Sequence, residues 1–282
     1  MPNSPLSFSI VTPSFNQARW LKLCVASVAD QHGQVVQHIV QDAGSTDGTV
    51  EWIQSDIRVQ ARVEKDAGMY DAINRGLRQA GGDILAYLNC DEQYLPGALE
   101  KVAEFFTAHP DVDLVFGDIV LVDEHGEYLC HRKVQAPRLF HTWTCHLSTL
   151  SCAMFFRRRM IKGGEFFFNA EYRCGGDQEW MVRLLQSRVK MAALGEFTSV
   201  FTRTGANLGR DPRAEAERQK LRGTASALVR AGMPLWVLHH RLRRWCAGAY
   251  SQEPFEFAAF TPASPGLRLV QSVRQPVFRQ AW

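Results

Sequence analysis

The chain has 282 residues, 46% hydrophobic and 22% charged, which describes a globular protein with enough length for one large core or two smaller ones. Seven cysteines, odd in number, widely spaced and without a C-x-x-C pair, argue against a zinc site or a disulfide framework. The formal charge of +3 is too small to argue for a nucleic-acid partner; from Pro234 onward six arginines face two glutamates, so the basic character sits in the tail.

No apolar run approaches the roughly 18 to 20 residues that cross a bilayer. Met1 to Pro5 leads into a core-like strand and not into the apolar region of a signal peptide, so a cytoplasmic protein is expected. Leu6 to Thr12 reads as a strand stopped by Pro13, after which Leu21, Cys24, Val25 and Val28 recur at helical spacing. The unit repeats. Gln37 to Gln41 is a strand, a loop rich in Gly, Ser and Asp follows, and Val50 and Ile53 open a short helix. Ala61 to Glu64 makes the next strand. Met69, Ile73, Leu77 and Ala80, with Ala72 and Gly76 beside them, form one buried face of a helix whose other face carries Asp71, Asn74 and Arg75. Ile84 to Leu88 is continuous apolar sequence, as in a parallel strand covered on both sides, and Pro96 begins a helix with Leu99, Val102, Phe105 and Phe106. Alternating strands and helices predict a mostly parallel sheet with helices on both faces, whose ligands bind at the carboxyl ends of the strands.

After a strand from Leu114 to Asp118 the texture becomes mixed. Val120, Val122 and Tyr128 to Val134 flank a hairpin turn at Glu124-His125-Gly126-Glu127. Ser151 to Phe156 is predicted as a strand, Asp177 to Gln186 as a helix, Thr198 to Phe201 as a last strand, and Asp211 to Arg230 and Met233 to Ala247 as helices. The Pro-punctuated remainder carries no clear period.

Acidic and small polar residues collect just after the predicted strands: Thr12-Pro13-Ser14-Phe15, Asp42 with Gly44 and Ser45, Asp66, and Asn89-Cys90-Asp91-Glu92. Converging carboxylates are costly unless cations neutralise them. Neither G-x-G-x-x-G nor G-x-x-x-x-G-K-[ST] is present, which excludes glycine-rich phosphate cradling. A diphosphate held through a hard divalent ion on an oxygen donor such as Asp91 is the alternative.

Five segments in order resemble the family 2 glycosyltransferases of the GT-A fold: Val11 to Asn16, Asp42 to Thr49, Glu64 to Gly76, Leu88 to Glu92, and Gly176 to Trp180. The resemblance covers about the first two hundred residues. It implies a Rossmann-like GT-A catalytic domain over 1–209, with a nucleotide-sugar half at 1–118 and an acceptor half at 119–209, followed by a helical or irregular extension at 210–282. It further implies an inverting transferase with a divalent metal (Mn or Mg), a nucleotide-diphosphate sugar donor, UDP favoured, and a hydroxyl acceptor on a glycan or lipid-linked glycan. Asp42 would accept a hydrogen bond from the base, Thr12 and Pro13 would line the nucleoside pocket, and Asp66 would lie near the base or ribose. Asp71 and Asn74 would position the donor, joined by Ser14, Phe15, Ser45, Asn89 and Cys90. Asp91 matches the metal-binding carboxylate of the D-x-D element, and Asp177 matches the general base. In this chain Asn89 stands where D-x-D has its first acid, Glu92 replaces a frequent second Asp, and Ala43 stands where relatives often have Asp or Gly.

Simpler roles compete with these. Asp47 caps a turn, Asp71 and Arg75 have the spacing of a surface ion pair, and Asp177 suits a helix N-cap. His141 and His146, between the halves, are candidates for acceptor or metal contact or for ordinary packing. Trp236, Leu242 and Trp245 interleaved with Arg241, Arg243 and Arg244 fit either peripheral contact with an anionic membrane, on its inner face, or a docking helix with a solvated basic edge. Two rival functions are a degenerate module that holds a nucleotide sugar without turnover, and a sugar nucleotidyltransferase. The latter would carry a Gly-rich basic loop where Thr12 to Asn16 stands.

Overall fold

The computed structural model describes residues 5–205, 207 and 211–278. The first half is the predicted alternation: β1 (Ser7–Ser14), α1 (Ala18–Ala29), β2 (Val35–Asp42), α2 (Thr49–Ser55), β3 (Gln60–Val63), α3 (Met69–Gln79) and β4 (Ile84–Tyr87). The chain then turns into β5 (Glu92–Tyr94), α4 (Ala98–Ala108), β6 (Leu114–Asp123), β7 (Tyr128–Arg132), α5 (Leu139–Thr144), β8 (Met154–Arg157), α6 (Gly176–Gln186) and β9 (Met191–Arg203). Three helices follow, α7 (Pro212–Gly223), α8 (Ala227–Ala231) and α9 (Met233–Cys246), and then β10 (Phe255–Thr261) and β11 (Ser264–Val273).

One nine-stranded sheet runs β3-β2-β1-β4-β8-β6-β9-β5, with β7 beside β6. The four strands at the β3 end are mutually parallel, as are β6 and β9, while β8 lies antiparallel between β4 and β6 and β5 antiparallel to β9. This is the expected α/β plan, parallel in the first half and mixed in the second. Helix α3 sits close on the sheet because Gly76 has no side chain: a Cβ there would come 2.4 Å from Val11 Cγ1.

Several local expectations were displaced. Pro13 does not stop β1, which runs through to Ser14. Pairing with β4 covers only Phe8 to Val11, so beyond Val11 the strand has a partner on one side alone and tolerates a residue without an N–H. Ser151–Ala153 is a 3-10 turn ahead of β8. The helix predicted over Asp211 to Arg230 is two: the Thr224 hydroxyl donates to Leu221 O (2.6 Å) at the end of α7, and the Ser226 hydroxyl accepts from Val229 N (3.4 Å) to start α8.

The tail folds onto the sheet. Phe257, Ala259 and Val273 of the β10–β11 hairpin share a core with Leu95, Val120, Val122 and Val200. Arg268, its side chain 10% exposed, grips Asp30 through two oxygens at 2.6 and 2.7 Å and donates to the carbonyls of Ala258 and Tyr94.

Candidate active site

The parallel register sets Ser14 beside Asp42. Beyond it, Ala43 N donates to Ser14 O, Glu64 N to Asp42 O, and Leu88 N to Val11 O, so four of the singled-out segments emerge along one edge. That edge is the carboxyl end of β1 to β4, where a doubly wound sheet opens its crevice.

The Asp42 side chain is held by its own loop. It is fully buried; Oδ1 accepts from the amides of Gly44 (2.9 Å) and Ser45 (2.7 Å), and Oδ2 from the Ser45 hydroxyl (2.7 Å). The Ser45 hydroxyl in turn accepts from Asn16 N (2.8 Å), and the Asn16 side-chain carbonyl accepts from Thr46 N (2.8 Å). Asp42 and Ser45 therefore shape the loop and lace it to the end of β1. Asp47 has the capping role weighed for it, accepting from Ala18 N and from both the amide and hydroxyl of Thr49. The buried Thr12 hydroxyl pairs with His38 Nε2 (2.9 Å) inside the core. Phe15, 59% exposed, is the open apolar surface at this edge, and Pro13 O accepts from the Cys90 thiol (3.3 Å), with Ser14 buried close by.

After β4 the chain presents Asn89 to Glu92. Glu92 is wholly buried and accepts from Asn89 N (2.8 Å) and the Ser151 hydroxyl (2.7 Å). Asp91 is half-buried and accepts from the Asn207 amide (3.1 Å). Burial pushes both carboxyls up, Glu92 the further because the charge of Asp91 adds to it. Asn89 Oδ1 is buried without a hydrogen-bond partner. A carboxylate short of cations and an unpaired amide oxygen, both hard donors on one short loop, are a chemistry that fits Mg or Mn. Buried Cys90 remains a free thiol, its pKa raised by burial.

Helix α3 and the loop before it divide their polar residues among different tasks. Asp66, its pKa raised by burial with the charges of Asp71 and Asp42 nearby, accepts from Gly68 N (2.8 Å) and stays at the crevice edge. Asp71 instead accepts from Ala67 N and pairs with Arg75 at 3.0 Å, and Arg75 also pairs with Glu64 at 2.7 Å, so the ion-pair account holds. Asn74 is buried, donating to Phe168 O (2.8 Å) and accepting from Phe168 N (2.9 Å), and thus anchors the 168 loop to α3.

That loop carries Phe168 into an aromatic wall, stacked on Tyr70 (5.5 Å) and Trp180 (4.6 Å) and edge-on to Tyr87 (5.3 Å). The wall joins α3, the end of β4 and α6, and so brings Asp177 to the crevice. Asp177 lies in the first turn of α6, with Oδ1 accepting from Gln178 N (2.8 Å) and from the Tyr70 phenol (3.3 Å). Among the described residues no hydrogen bond engages Oδ2. Burial raises the Asp177 pKa, opposed by the hydrogen bonds from Gln178 and Tyr70. Tyr87, at the end of β4, feels the charges of both Asp177 and Glu92.

Sequence reading missed three contributors. Tyr70 lay inside a quoted motif but had no role assigned. Glu217 of α7 accepts from the amides of Arg173 (2.7 Å), Cys174 (2.9 Å) and Gly175 (2.7 Å), holding the turn that leads to Asp177; nothing in the solvated pattern of α7 signalled this. Arg173 lays its guanidinium over Gly68, where a Cβ would fall 2.2 Å from Nη1, so a cation stands at the start of α3.

Residues 9–163 match Glycosyl transferase family 2. A PGL/p-HBAD biosynthesis glycosyltransferase of Mycobacterium tuberculosis is 31% identical over 186 residues, covering 62% of this chain and 68% of the relative. The putative teichuronic acid biosynthesis glycosyltransferase TuaG of Bacillus subtilis is 33% identical over 102 residues, covering 34% of this chain and 40% of the relative. The structure of S. aureus TarS 1-349 in complex with UDP-GlcNAc has a TM-score of 0.62 at 19% identity, covering 86% of this chain and 73% of that one, a likeness of fold. This chain spans 44% of the longer TarS structure.

Proposed function

The chain belongs to glycosyl transferase family 2, and on that premise we propose that it is an inverting, metal-dependent transferase acting on a nucleotide-diphosphate sugar. UDP is the favoured nucleotide, since a neighbour of the same fold carries UDP-GlcNAc. The acceptor is a hydroxyl of a glycan or lipid-linked glycan in polysaccharide or glycolipid assembly, the setting named for the relatives.

The observation that carries this reading is the state of Asp177. One of its oxygens is held by Tyr70 and Gln178, the other has no hydrogen bond among the described residues, and burial raises the basicity of the pair. The acceptor hydroxyl would give its proton to Oδ2 as its oxygen bonds to the anomeric carbon, while the bond to the diphosphate breaks on the opposite face. Asp91 and the amide oxygen of Asn89 would hold Mg or Mn; when bound, the ion supplies positive charge to the departing diphosphate. Phe15 offers an apolar surface toward the nucleoside, and Arg173 a second positive group at the crevice.

The test is transfer from a panel of nucleotide sugars, with the anomeric configuration of the product read by NMR and donor affinity by calorimetry. Inversion is expected, with Asp177→Asn abolishing transfer and leaving donor affinity within about threefold. Retention of configuration sinks the mechanism, and tight nucleotide binding without turnover on any donor favours the degenerate module.

The membrane reading rests on α9, where Leu235, Leu238, Leu242 and Trp245 are exposed at helical spacing beside Arg241. No helix among the described residues is long and apolar enough to cross a membrane. Cosedimentation with anionic but not zwitterionic vesicles is expected, and equal recovery with both contradicts it.

A further inference from the structure

His141 on α5, His146 just beyond that helix, and His240 on α9 converge, with one ligand nitrogen from each lying within 4.8 Å of the others. The His141 ring stacks on His240 (centroids 4.1 Å, planes 15° apart) and meets His146 edge-on at 4.7 Å. His141 is 3% exposed and its Nε2 is buried without a hydrogen-bond partner, an omission that ordinarily costs about 1–3 kcal/mol. His146 is exposed and His240 half-buried, so solvent and ions reach the cluster.

We propose that His141, His146 and His240 bind a transition-metal dication of the zinc class, with water completing the coordination, and that the ion clamps α9 to the acceptor half. The sequence argued against zinc because it has no cysteine pair; three imidazoles drawn from separated segments need none. Imidazole donors favour Zn, Ni or Cu over Mg or Mn, which prefer oxygen ligands. Zinc–nitrogen bonds of about 2.0–2.1 Å require the nitrogens to close to roughly 3.4 Å, a movement open to the exposed His146 and to His240. Helix α5 lies between α9 and α6, and its Thr142 O accepts from Gln178 Nε2 (2.7 Å), the residue after Asp177. A clamp at α5 and α9 thus bears on the helix that carries the proposed base. The cluster shares no residue with the Asn89 to Glu92 loop, so it stands or falls apart from the transferase reading.

The experiment uses the full chain, freed of any polyhistidine tag and stripped with chelator, titrated with Zn²⁺ by calorimetry and with Co²⁺ by visible absorption. One equivalent is expected, with the intense bands of tetrahedral cobalt, a rise in Tm with zinc, and no competition from Mg²⁺. His146→Ala, at an exposed position that leaves the fold intact, and His240→Ala should each weaken binding by roughly 100-fold, while Asp91→Asn leaves it unchanged. No saturable zinc binding, or binding that survives both histidine variants, or binding lost in Asp91→Asn, overturns the proposal.

Discussion

The phenol oxygen of Tyr70 accepts from the Asp177 amide nitrogen (3.1 Å) and stands 3.3 Å from both Asp177 Oδ1 and Cys174 O, the two acceptors for its single proton. The contact favours the ionised carboxylate, which burial otherwise disfavours. Because the base form exists only above a raised pKa, activity falls as pH drops through it, and the acid limb of kcat/KM lies above the ordinary carboxylate value of about 3.9. Tyr70→Phe removes the supporting hydrogen bond, so the limb moves to higher pH by about one unit, with the rate about 10-fold lower at pH values well down the acid limb. A pH–rate profile superimposable on that of the parent excludes this role.

Glu217 supports the same carboxylate from the other side. Glu217→Ala leaves the amides of Arg173, Cys174 and Gly175 without their acceptor and frees the turn before α6. A drop in kcat of roughly 10- to 100-fold is expected with KM for donor little changed, because a small misplacement of the base costs rate before it costs binding. Glu217→Gln, which keeps an acceptor oxygen, should recover part of the loss; no difference between the two variants would reduce Glu217 to general stability.

Gly176 is where the aromatic wall touches α6. A Cβ there would fall 2.6 Å from the Tyr70 ring, so Gly176→Ala pushes the ring away from Asp177. The expected cost is about 1–3 kcal/mol in urea unfolding, together with lost activity. Unchanged stability and rate would mean the ring moves freely.

Chelation of the donor-site metal should stop turnover, restored by Mg or Mn. Asp91→Asn should lower kcat by about 10²- to 10³-fold and weaken nucleotide binding only in the presence of metal. An enzyme fully active in chelator contradicts the assignment of Asp91.

Arg268 tests whether the tail is integral. Its removal leaves Asp30 unpaired at a half-buried site and two carbonyls without their donor, at an expected cost of about 2–3 kcal/mol and a fall of roughly 4–12 °C in Tm. A Tm unchanged by Arg268→Ala would show the hairpin to be dispensable.

Much of this was legible before any coordinates. The βαβ order of the first half follows from hydrophobic period and turn residues, and a parallel sheet then has to gather the ends of β1, β2 and β4 on one edge. Asn89, Asp91 and Asp177 stood out because their residue types, set in spaced motifs, match one chemistry. The internal contacts of Asp42, Thr12 and Asn74 were not legible for one common reason: a polar residue after a strand or on a helix reads the same whether it meets a ligand or its own neighbours. Gly44 and Ser45 occupy Asp42, His38 occupies Thr12, and the Phe168 backbone occupies Asn74. The β10–β11 hairpin was missed because its outward face carries no steady alternation and its inward residues gain meaning only against β6 and β9.

The sequence by itself determined the alternating architecture and the edge at which its spaced acids gather, since period, glycine placement and residue type are local properties of the chain. Tertiary structure alone decided which polar partners each of those acids has, how Tyr70 and Glu217 hold Asp177 and the turn before it, and that three scattered histidines meet. Those outcomes depend on desolvation and on hydrogen-bond partners from distant segments, and neither has a local signature.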